Sequence, residues 1–550
     1  MEILKVDRKI YLDALDRALH FAVLHTDEQG RMVVDGEIDT KDSGWLVLGG
    51  VIRGVEESWF INDTDLKEYC RKWTLASVRV DDVKSAWTTF ALLLCFEFTK
   101  GKFKELFSAD EMAELTRFFR QIDMRFLLEA SRNYRVAAAV IDILRVRYGF
   151  TGEYAVNPEE CINYMLDGYL GEGFFNDDDG RGDSRDRRID AYSAEIIGLL
   201  LHYDEICSWN SFCHDRIMSI LNDFCRSNLR LIDSDGEFAK WGRSLRGEAE
   251  VKKLFLWEYA QKNNLCAYGN SASEKMLRFF QNTGIQKNGK IGRDKAFDKG
   301  IWDEYTTHVQ AQGYGIYGLA MALRFASGEE RDIEKLPSEC ENYVIHLDKA
   351  GIICGNSCKN GGHYIFPYRN RMTKNMFFWH NRITGENDVT VDVSAKFMPV
   401  PYFGHQFPAP YSGPEVPFLP MLRLQDGSLL VPRNIDTDLR VSGNSICRRF
   451  DFCPIAGYEP VADLFFDGEI NCSAQYIKFS FVFSGNLPDG SRLEIYLFAG
   501  ADGQQFQTDI KCKEFYEDSF TAGPSIYGSK THGKRLIFNS AEPIEYTVSF

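Results

Sequence analysis

The chain has 550 residues, of which 26 % are charged and 44 % hydrophobic, and its formal net charge is −16 at pH 7. This length is enough for two domains with large cores, and the composition is that of a globular rather than a disordered protein. The negative charge argues against nucleic acid and anionic membranes as partners. An arginine pocket for an acidic substrate is compatible with it.

Residues 1–8 lead directly into an amphipathic pattern and lack the basic, apolar and small-residue succession of a signal peptide. No apolar run approaches the roughly 20 residues that span a bilayer. The 14 cysteines are scattered without paired Cys-x-x-Cys spacing, which indicates free thiols. The Asp-rich run at 176–183 lacks the bidentate Glu of a calcium loop. We therefore expect a cytoplasmic protein without metal or cofactor.

Residues 1–330 predict a mostly helical domain. Apolar residues recur at helical spacing in the stretches 10–25, 85–98, 110–130, 134–148, 190–203, 215–229, 244–259, 273–282 and 306–327. From residue 341 the pattern changes to short β-rich runs that Gly, Asp, Asn and Pro separate, for example 476–483 and 493–498. This change predicts an antiparallel, sandwich-like β domain over 341–550.

Candidate helix entries with unusual polar or aromatic residues recur through the helical part at intervals of about 40–60 residues, near the period of one helical hairpin. They are Asp42/Trp45, Asp82/Trp87, Asn133/Tyr134, Asp190/Tyr192, Arg243/Ser244 and Tyr305/His308. Six hairpins in a ring form an (α/α)6 toroid, whose inner helices all begin at one end; a superhelical solenoid has the same period. Helix N-termini favour anionic ligands, so we expect a cleft for an acidic ligand at that end.

One predicted helix start, at 240–250, carries Trp241, Arg243 and Arg246. Two arginines three residues apart share one helical face and can hold a carboxylate, and the Trp offers a surface for a sugar ring. The structural alternative is a capped helix with an exposed salt-bridge network.

Two further helix starts carry ionisable groups. Glycoside hydrolysis needs one carboxylic acid to protonate the leaving oxygen and a second carboxylate to activate water or to attack. Asp303 and Glu304 are candidates for either role, with Asp190 opposite and Tyr192 to orient it. The structural alternatives are an N-cap for Asp190, an acidic first turn that suits the helix dipole for the pair, and a packed core position for His308.

Four segments, in order, are similar to motifs of one family. Residues 132–135, 169–177, 188–192 and 242–246 resemble the Asn-Asn-Trp, Tyr-x-Gly-Asp-Gly-Trp-Tyr-x-Asp-Gly, Asp-Tyr-Tyr and Gly-Arg-Ser-Leu-Thr-Tyr-Arg-Phe-Ala motifs of the domain-of-unknown-function 2264 group. Some members of that group are glycoside hydrolase family 154 β-glucuronidases. The resemblance covers roughly residues 40–330 and implies an (α/α)6 toroid with a β domain. The sequence departs from the family at Arg246, which comes two positions early, and at 312–315.

Three functional classes follow. The first is a glycosidase that removes a terminal uronic acid, whose substrate-binding residues are Arg243, Arg246, Asn133, Trp45, Tyr305 and Trp241. The second is a polysaccharide lyase, in which Asn133 or Arg243 neutralises the carboxylate and Tyr192, Tyr305 or His308 removes the C5 proton. The third is a non-catalytic carbohydrate-binding protein. In each case the expected partner is an acidic oligosaccharide or glycoside, and a homo-oligomer is compatible with the sequence.

Overall fold

The computed structural model describes part of the chain, and every structural statement below refers to that part. The described residues are 5–6, 8–34, 36–38, 43–79, 86–129, 132–176, 190–207, 211–238, 247–291, 308–328, 331–358, 362–367, 381–383, 389–391, 418–433, 439–454, 460–498, 507–511, 514–524 and 530–549.

Helices dominate the chain up to residue 340. In chain order they are α1 (Lys9–Leu24), α2 (Gly44–Glu56), α3 (Leu66–Val78), α4 (Ala86–Phe98), α5 (Ala109–Arg120), α6 (Met124–Glu129), α7 (Arg132–Arg147), α8 (Pro158–Asp167), α9 (Asp190–Ile206), α10 (Ser211–Asn228), α11 (Gly247–Lys262), α12 (Gly269–Thr283), α13 (His308–Phe325) and α14 (Pro337–Cys340). None of the helices in the described ranges is long and apolar enough to cross a membrane.

Six of these helices form a closed inner ring. α2, α4, α7, α9, α11 and α13 pack side by side in this order, and α13 packs on α2. α1, α3, α8, α10 and α12 pack outside the ring, and α5 packs on α3. The inner helix α4 packs on all sides, since every one of its residues from Ala86 to Phe96 is buried. The predicted (α/α)6 toroid is confirmed.

Tight turns between outer and inner helices hold neighbouring units together. In four turns, a glycine with positive φ faces the backbone of the next outer helix: Gly30 on α3, Gly173 on α10, Gly236 on α12 and Gly289 on α1. A Cβ at Gly289 would collide with the carbonyl oxygen of Arg17, so only glycine permits this approach. The last turn of the toroid therefore packs on its first helix.

A buried glutamine completes this closure. Gln312 of α13 is fully buried, and its Nε2 donates to the carbonyl oxygens of Ala18 at 3.0 Å and Gly289 at 3.1 Å. Its Oε1 accepts the backbone N–H of Ile291 at 2.6 Å. The segment 312–315, where the sequence departs from the resembled family, thus has a structural role through Gln312.

Strands occupy most of the described chain beyond residue 340, and short strand pairs lie between the helices. In chain order the strands are β1 (Lys5–Val6), β2 (Val33–Val34), β3 (Glu37–Ile38), β4 (Phe60–Ile61), β5 (Thr64–Asp65), β6 (Tyr169–Gly171), β7 (Phe174–Phe175), β8 (Arg331–Asp332), β9 (Tyr343–Leu347), β10 (Ile352–Ser357), β11 (Gly362–Pro367), β12 (Asn381–Ile383), β13 (Val389–Val391), β14 (Met421–Arg423), β15 (Leu429–Arg433), β16 (Arg440–Ser442), β17 (Ser445–Pro454), β18 (Phe465–Cys472), β19 (Tyr476–Ser484), β20 (Arg492–Phe498), β21 (Gln507–Lys511), β22 (Tyr516–Pro524), β23 (Lys530–Phe538) and β24 (Ile544–Ser549).

Two antiparallel sheets make up the main part of the β domain. The larger has eleven strands in the order β21-β24-β19-β18-β17-β15-β14-β20-β23-β22, with β16 paired to β17, and the smaller has the order β11-β10-β9. Burial alternates along β18, as expected for strands with one face on a core. Ile353, Tyr364 and Phe366 of the smaller sheet share that core. The predicted antiparallel β domain is confirmed.

The smaller sheet also joins the β domain to the toroid. Its residues Tyr343 and Cys354 belong to the helical core. The Tyr343 hydroxyl donates to the carbonyl oxygen of Arg230 at 2.8 Å, and His363 Nε2 donates to the same oxygen at 3.0 Å. Arg230 lies between α10 and the turn that leads to α11. The β domain therefore contacts the end of the toroid where the inner helices begin.

Candidate active site

The six inner helices begin at residues 44, 86, 132, 190, 247 and 308, close to the six predicted entries. One side chain from the first two turns of each inner helix takes part in a continuous series of contacts. We call this series the mouth arc; its members are Tyr134 of α7, Trp87 of α4, Trp45 of α2, Tyr314 of α13, Lys252 of α11 and Glu195 of α9. These contacts place the beginnings of the inner helices at one end of the ring.

Four aromatic rings form one half of the mouth arc. The ring centroids of Tyr134 and Trp87 lie 4.9 Å apart, and those of Trp87 and Trp45 lie 6.3 Å apart. The series continues to Tyr314, whose ring lies 5.9 Å from Trp45. Phe126, which is 54 % exposed, extends it outward at 6.2 Å from Tyr134. The two tryptophans are buried, so the accessible surface comes from the tyrosines and Phe126.

Trp45 lies at the back of the aromatic half. It is only 4 % exposed, and the rings of Phe90 and Tyr317 lie 5.8 Å and 4.5 Å from its own. Its Nε1 is buried and has no hydrogen-bond partner among the described residues. A buried donor without an acceptor costs free energy, so Trp45 would gain from an acceptor placed there.

An ion pair forms the other half of the mouth arc. Lys252 Nζ lies 3.1 Å from Glu195 Oε2 and 3.8 Å from the ring centroid of Tyr314. The two charged side chains are 15 % and 23 % exposed, so both are largely removed from water. The ammonium group is held by a carboxylate on one side and a tyrosine ring on another. The mouth therefore combines aromatic rings with one cation and one anion.

A buried polar pair lies beneath the arc. The hydroxyl of Tyr317 and Nε2 of His202 are 2.7 Å apart, and both side chains are buried. Burial lowers the pKa of His202 to about 3 and raises the pKa of Tyr317 well above its usual range. His202 is therefore neutral near pH 7. The pair fills the interior of the ring instead of exchanging protons with solvent.

Ion pairs occupy the opposite end of the ring, where the inner helices finish. Arg324 contacts both carboxylate oxygens of Glu205, at 2.8 and 2.9 Å, and Arg147 pairs with Glu97 at 2.5 Å. Between them lies a cavity of about 190 Å³ with His202 in its wall. This end is thus held together by paired charges.

Of the predicted site residues, the structure describes the side chains of only two, Asn133 and Trp45. Asp190, Tyr192 and His308 lie in the first turns of α9 and α13, but their side chains are outside the described part. Asn133 is 2 % exposed and Trp45 is 4 % exposed, so both are buried in the first turns of α7 and α2. The remaining predicted site residues lie outside the described residues: Trp241, Arg243, Arg246, Asp303, Glu304 and Tyr305.

Glu195 and Lys252 were not predicted from the sequence. Glu195 is the only charged residue from position 191 to 203, in an otherwise apolar inner helix. An isolated charge in such a helix needs a partner, so the sequence itself indicates that Glu195 forms an ion pair. The sequence does not indicate which residue is the partner, because Lys252 follows 57 residues later.

The described residues contain no cluster of three or more His, Cys, Asp or Glu side chains that is suited to a metal ion. Within them, 13 cysteines are free thiols.

Comparisons with known proteins concern the fold. No family model and no curated protein sequence matches this chain. Among solved structures, a Paenibacillus xanthan lyase aligns over 98 % of this chain and 56 % of its own, with 10 % identity and a TM-score of 0.50. The fold is shared. A Streptomyces coelicolor A3 chondroitin AC lyase aligns over 98 % of this chain and 79 % of its own, with 8 % identity and a TM-score of 0.49. A structure described as a possible member of the GH105 family, from Salmonella enterica, aligns over 58 % of this chain and 95 % of its own, with 13 % identity and a TM-score of 0.40.

Proposed function

We propose that this protein is a carbohydrate-active enzyme that acts on uronic-acid-containing glycans and hydrolyses a terminal uronic acid. The mouth arc carries this proposal. Its accessible aromatic rings suit the apolar faces of sugars, and Lys252 suits a carboxylate. The resemblance to the domain-of-unknown-function 2264 and glycoside hydrolase family 154 group implies the same substrate class.

The electrostatics of the mouth support an acidic ligand. α2, α4, α7 and α13 have no acidic residue in their first turns. Within the part of the chain that the structure describes, the partial positive charges at these helix starts are thus not compensated by side chains of the same helices. In this proposal Arg243 and Arg246 bind the substrate carboxylate, with Asn133, Trp45, Tyr305 and Trp241 completing the substrate site.

For catalysis we propose one carboxyl group from Asp303 or Glu304 and a second from Asp190, with Tyr192 orienting it. Such a pair is about 5–5.5 Å apart in a retaining enzyme and about 6.5–9.5 Å apart in an inverting one. The acid protonates the glycosidic oxygen as the bond to the sugar breaks, and the other carboxylate attacks or activates water.

A lyase is the second candidate. One carboxylate, Glu195, belongs to the mouth arc, and it is paired with Lys252, whereas Tyr134 and Tyr314 supply hydroxyl groups. β-Elimination needs a proton acceptor at C5 and a neutralised substrate carboxylate, but no pair of acids. In this reading Tyr192, Tyr305 or His308 removes the proton. A xanthan lyase is among the solved structures that share the fold.

Product analysis separates the candidates. The protein is incubated with aryl glucuronides and with uronate oligosaccharides, while aglycone release and the ultraviolet absorbance of an unsaturated uronate are followed. We expect aglycone release without unsaturated product. Unsaturated product alone would replace the hydrolase by the lyase. Binding without either product would indicate a non-catalytic carbohydrate-binding protein, and the absence of binding as well would contradict the proposal.

Amide variants then test the acids. Asp190→Asn and Glu304→Gln should each lower kcat by roughly 10²-fold or more while substrate still binds, because an amide keeps the shape but cannot transfer the proton. Glu153→Gln, an exposed residue outside the mouth, is the matched control and should keep full activity. Normal turnover in both amide variants, together with loss of activity in Tyr192→Phe, would favour the lyase.

A further inference from the structure

The Glu195–Lys252 pair offers a means of sugar selection that the arginines of the proposed site do not account for. We propose that Lys252 selects an anionic sugar at the mouth and that Glu195 limits the strength of this selection. The inference rests on the proposed function, since it concerns which sugars the same mouth accepts.

Lys252 has the chemistry and the position that selection requires. A lysine in an inner helix pays a desolvation cost, which Glu195 offsets from 3.1 Å away. An ammonium group has three N–H donors. Glu195 accepts from one and the Tyr314 ring lies 3.8 Å from Nζ, so a donor remains for a ligand oxygen. The same tyrosine ring is part of the accessible aromatic surface, so a sugar on that surface lies next to Nζ.

Glu195 opposes an anionic ligand at this position. It neutralises Lys252 in the free protein, and a ligand carboxylate that approaches Nζ also approaches the carboxylate of Glu195. Like charges at short range in a poorly hydrated site repel each other. Replacing Glu195 by glutamine keeps the shape and removes the repulsion. Affinity for an acidic sugar should then rise, and affinity for a neutral sugar should not.

A purely structural role for the pair leads to a different expectation. If Lys252 and Glu195 only tie α9 to α11, neutralising them should alter stability and leave the preference between acidic and neutral sugars unchanged. Lys262 provides a matched control. It lies at the end of the same helix, and its Nζ is 5.5 Å from the ring of Phe325, so Lys262→Met removes the same charge and a similar contact at the opposite end of the ring.

The test is calorimetric titration of the full chain with methyl β-D-glucuronide and methyl β-D-glucoside. We expect the wild type to prefer the glucuronide. Lys252→Met should weaken glucuronide binding by about tenfold or more, the loss expected for a hydrogen bond to a charged group, with glucoside binding unchanged. Lys262→Met should bind both as the wild type does. Glu195→Gln should tighten glucuronide binding several-fold.

Two further results keep the inference falsifiable. Should Lys252→Met not fold, Glu195→Gln alone decides: unchanged or weaker glucuronide binding overturns the proposal. The double variant Glu195→Gln/Lys252→Met leaves neither charge unpaired and should lose the preference that Glu195→Gln gains. A wild type that binds neither sugar would contradict the proposed function itself. A wild type that prefers the glucuronide, with Lys252→Met doing so equally, would contradict only the role of Lys252.

Discussion

Replacing Gln312 by methionine should destabilise the toroid without touching the mouth. Methionine has a similar volume but offers no donor or acceptor of comparable strength. The buried N–H of Ile291 loses its acceptor at 2.6 Å, and the carbonyl oxygen of Gly289 loses its donor at 3.1 Å. The carbonyl oxygen of Ala18 lies within α1 and retains its helical hydrogen bond.

The magnitude follows from the two groups left unpaired. Each buried polar group without a partner costs about 1–3 kcal/mol, so we expect the free energy of unfolding to fall by about 2–6 kcal/mol. Gln121→Met is the control, because Gln121 is exposed at the end of α5 and its replacement should change stability by at most about 0.5 kcal/mol.

Urea unfolding followed by tryptophan fluorescence is the suitable assay. Eight of the nine tryptophans precede residue 330, so the signal reports mainly on the helical part of the chain. The midpoint of Gln312→Met should move to lower urea with little change in slope. A midpoint equal to that of Gln121→Met would show that the three hydrogen bonds of Gln312 do not close the ring.

Two further predictions concern stability. Gly289→Ala and Gly149→Ala both place alanine at positive φ, 90° and 76°, but only the new Cβ at position 289 collides with backbone atoms, those of Arg17. In the same urea assay, Gly289→Ala should therefore destabilise the protein by about 1–3 kcal/mol more than Gly149→Ala. Equal losses would show that α1 shifts to make room for the Cβ. Burial lowers the pKa of His202 to about 3, against about 6.5 in the unfolded chain, so between these pH values only the unfolded chain binds the proton and stability falls as the pH falls below about 6.5. From pH 7.5 to pH 5 the free energy of unfolding of the wild type should therefore fall by about 2 kcal/mol more than that of His202→Gln. Equal losses in the two proteins would contradict this prediction.

Local patterns in the sequence predict much of the toroid. Helical spacing indicates most inner helices, and the start of every inner helix lies near one of the six predicted entries. Of the described helices before residue 330, three were absent from the predicted stretches: α2, α3 and α8. In α2 the reason is its composition, since Gly49, Gly50 and Gly54 lower helix propensity. These glycines allow close packing, and a Cβ at Gly49 would collide with Ile316 of α13. Ring packing therefore outweighs propensity. The predicted stretch 110–130 is divided into α5 and α6.

The site is harder to predict, because an inner helix such as α4 is apolar and buried on every face. Periodicity then gives no indication of which side chain faces the mouth. Trp45 was predicted to bind substrate, and its role stays a prediction; the structure shows it buried at 4 % exposure, with Tyr314 and Tyr134 more accessible. The contact between Glu195 and Lys252 depends on the order of helices around the ring, which no local pattern contains.

The two ends of the inner ring carry different charged residues. Where the inner helices finish, Arg147 and Arg324 lie in the last turns of α7 and α13 and pair with Glu97 and Glu205. The arginines suit the negative dipole ends of α7 and α13, while their partners Glu97 and Glu205 lie in the last turns of α4 and α9. At the mouth, the described first turns of four inner helices contain no acid, so side chains of these four helices do not compensate their own positive ends. A favourable potential for an acidic sugar can therefore exist in a chain of net charge −16. The negative net charge argues against an extended polyanionic partner such as nucleic acid, which contacts a large part of the surface. It does not argue against a small anionic ligand that contacts only the mouth.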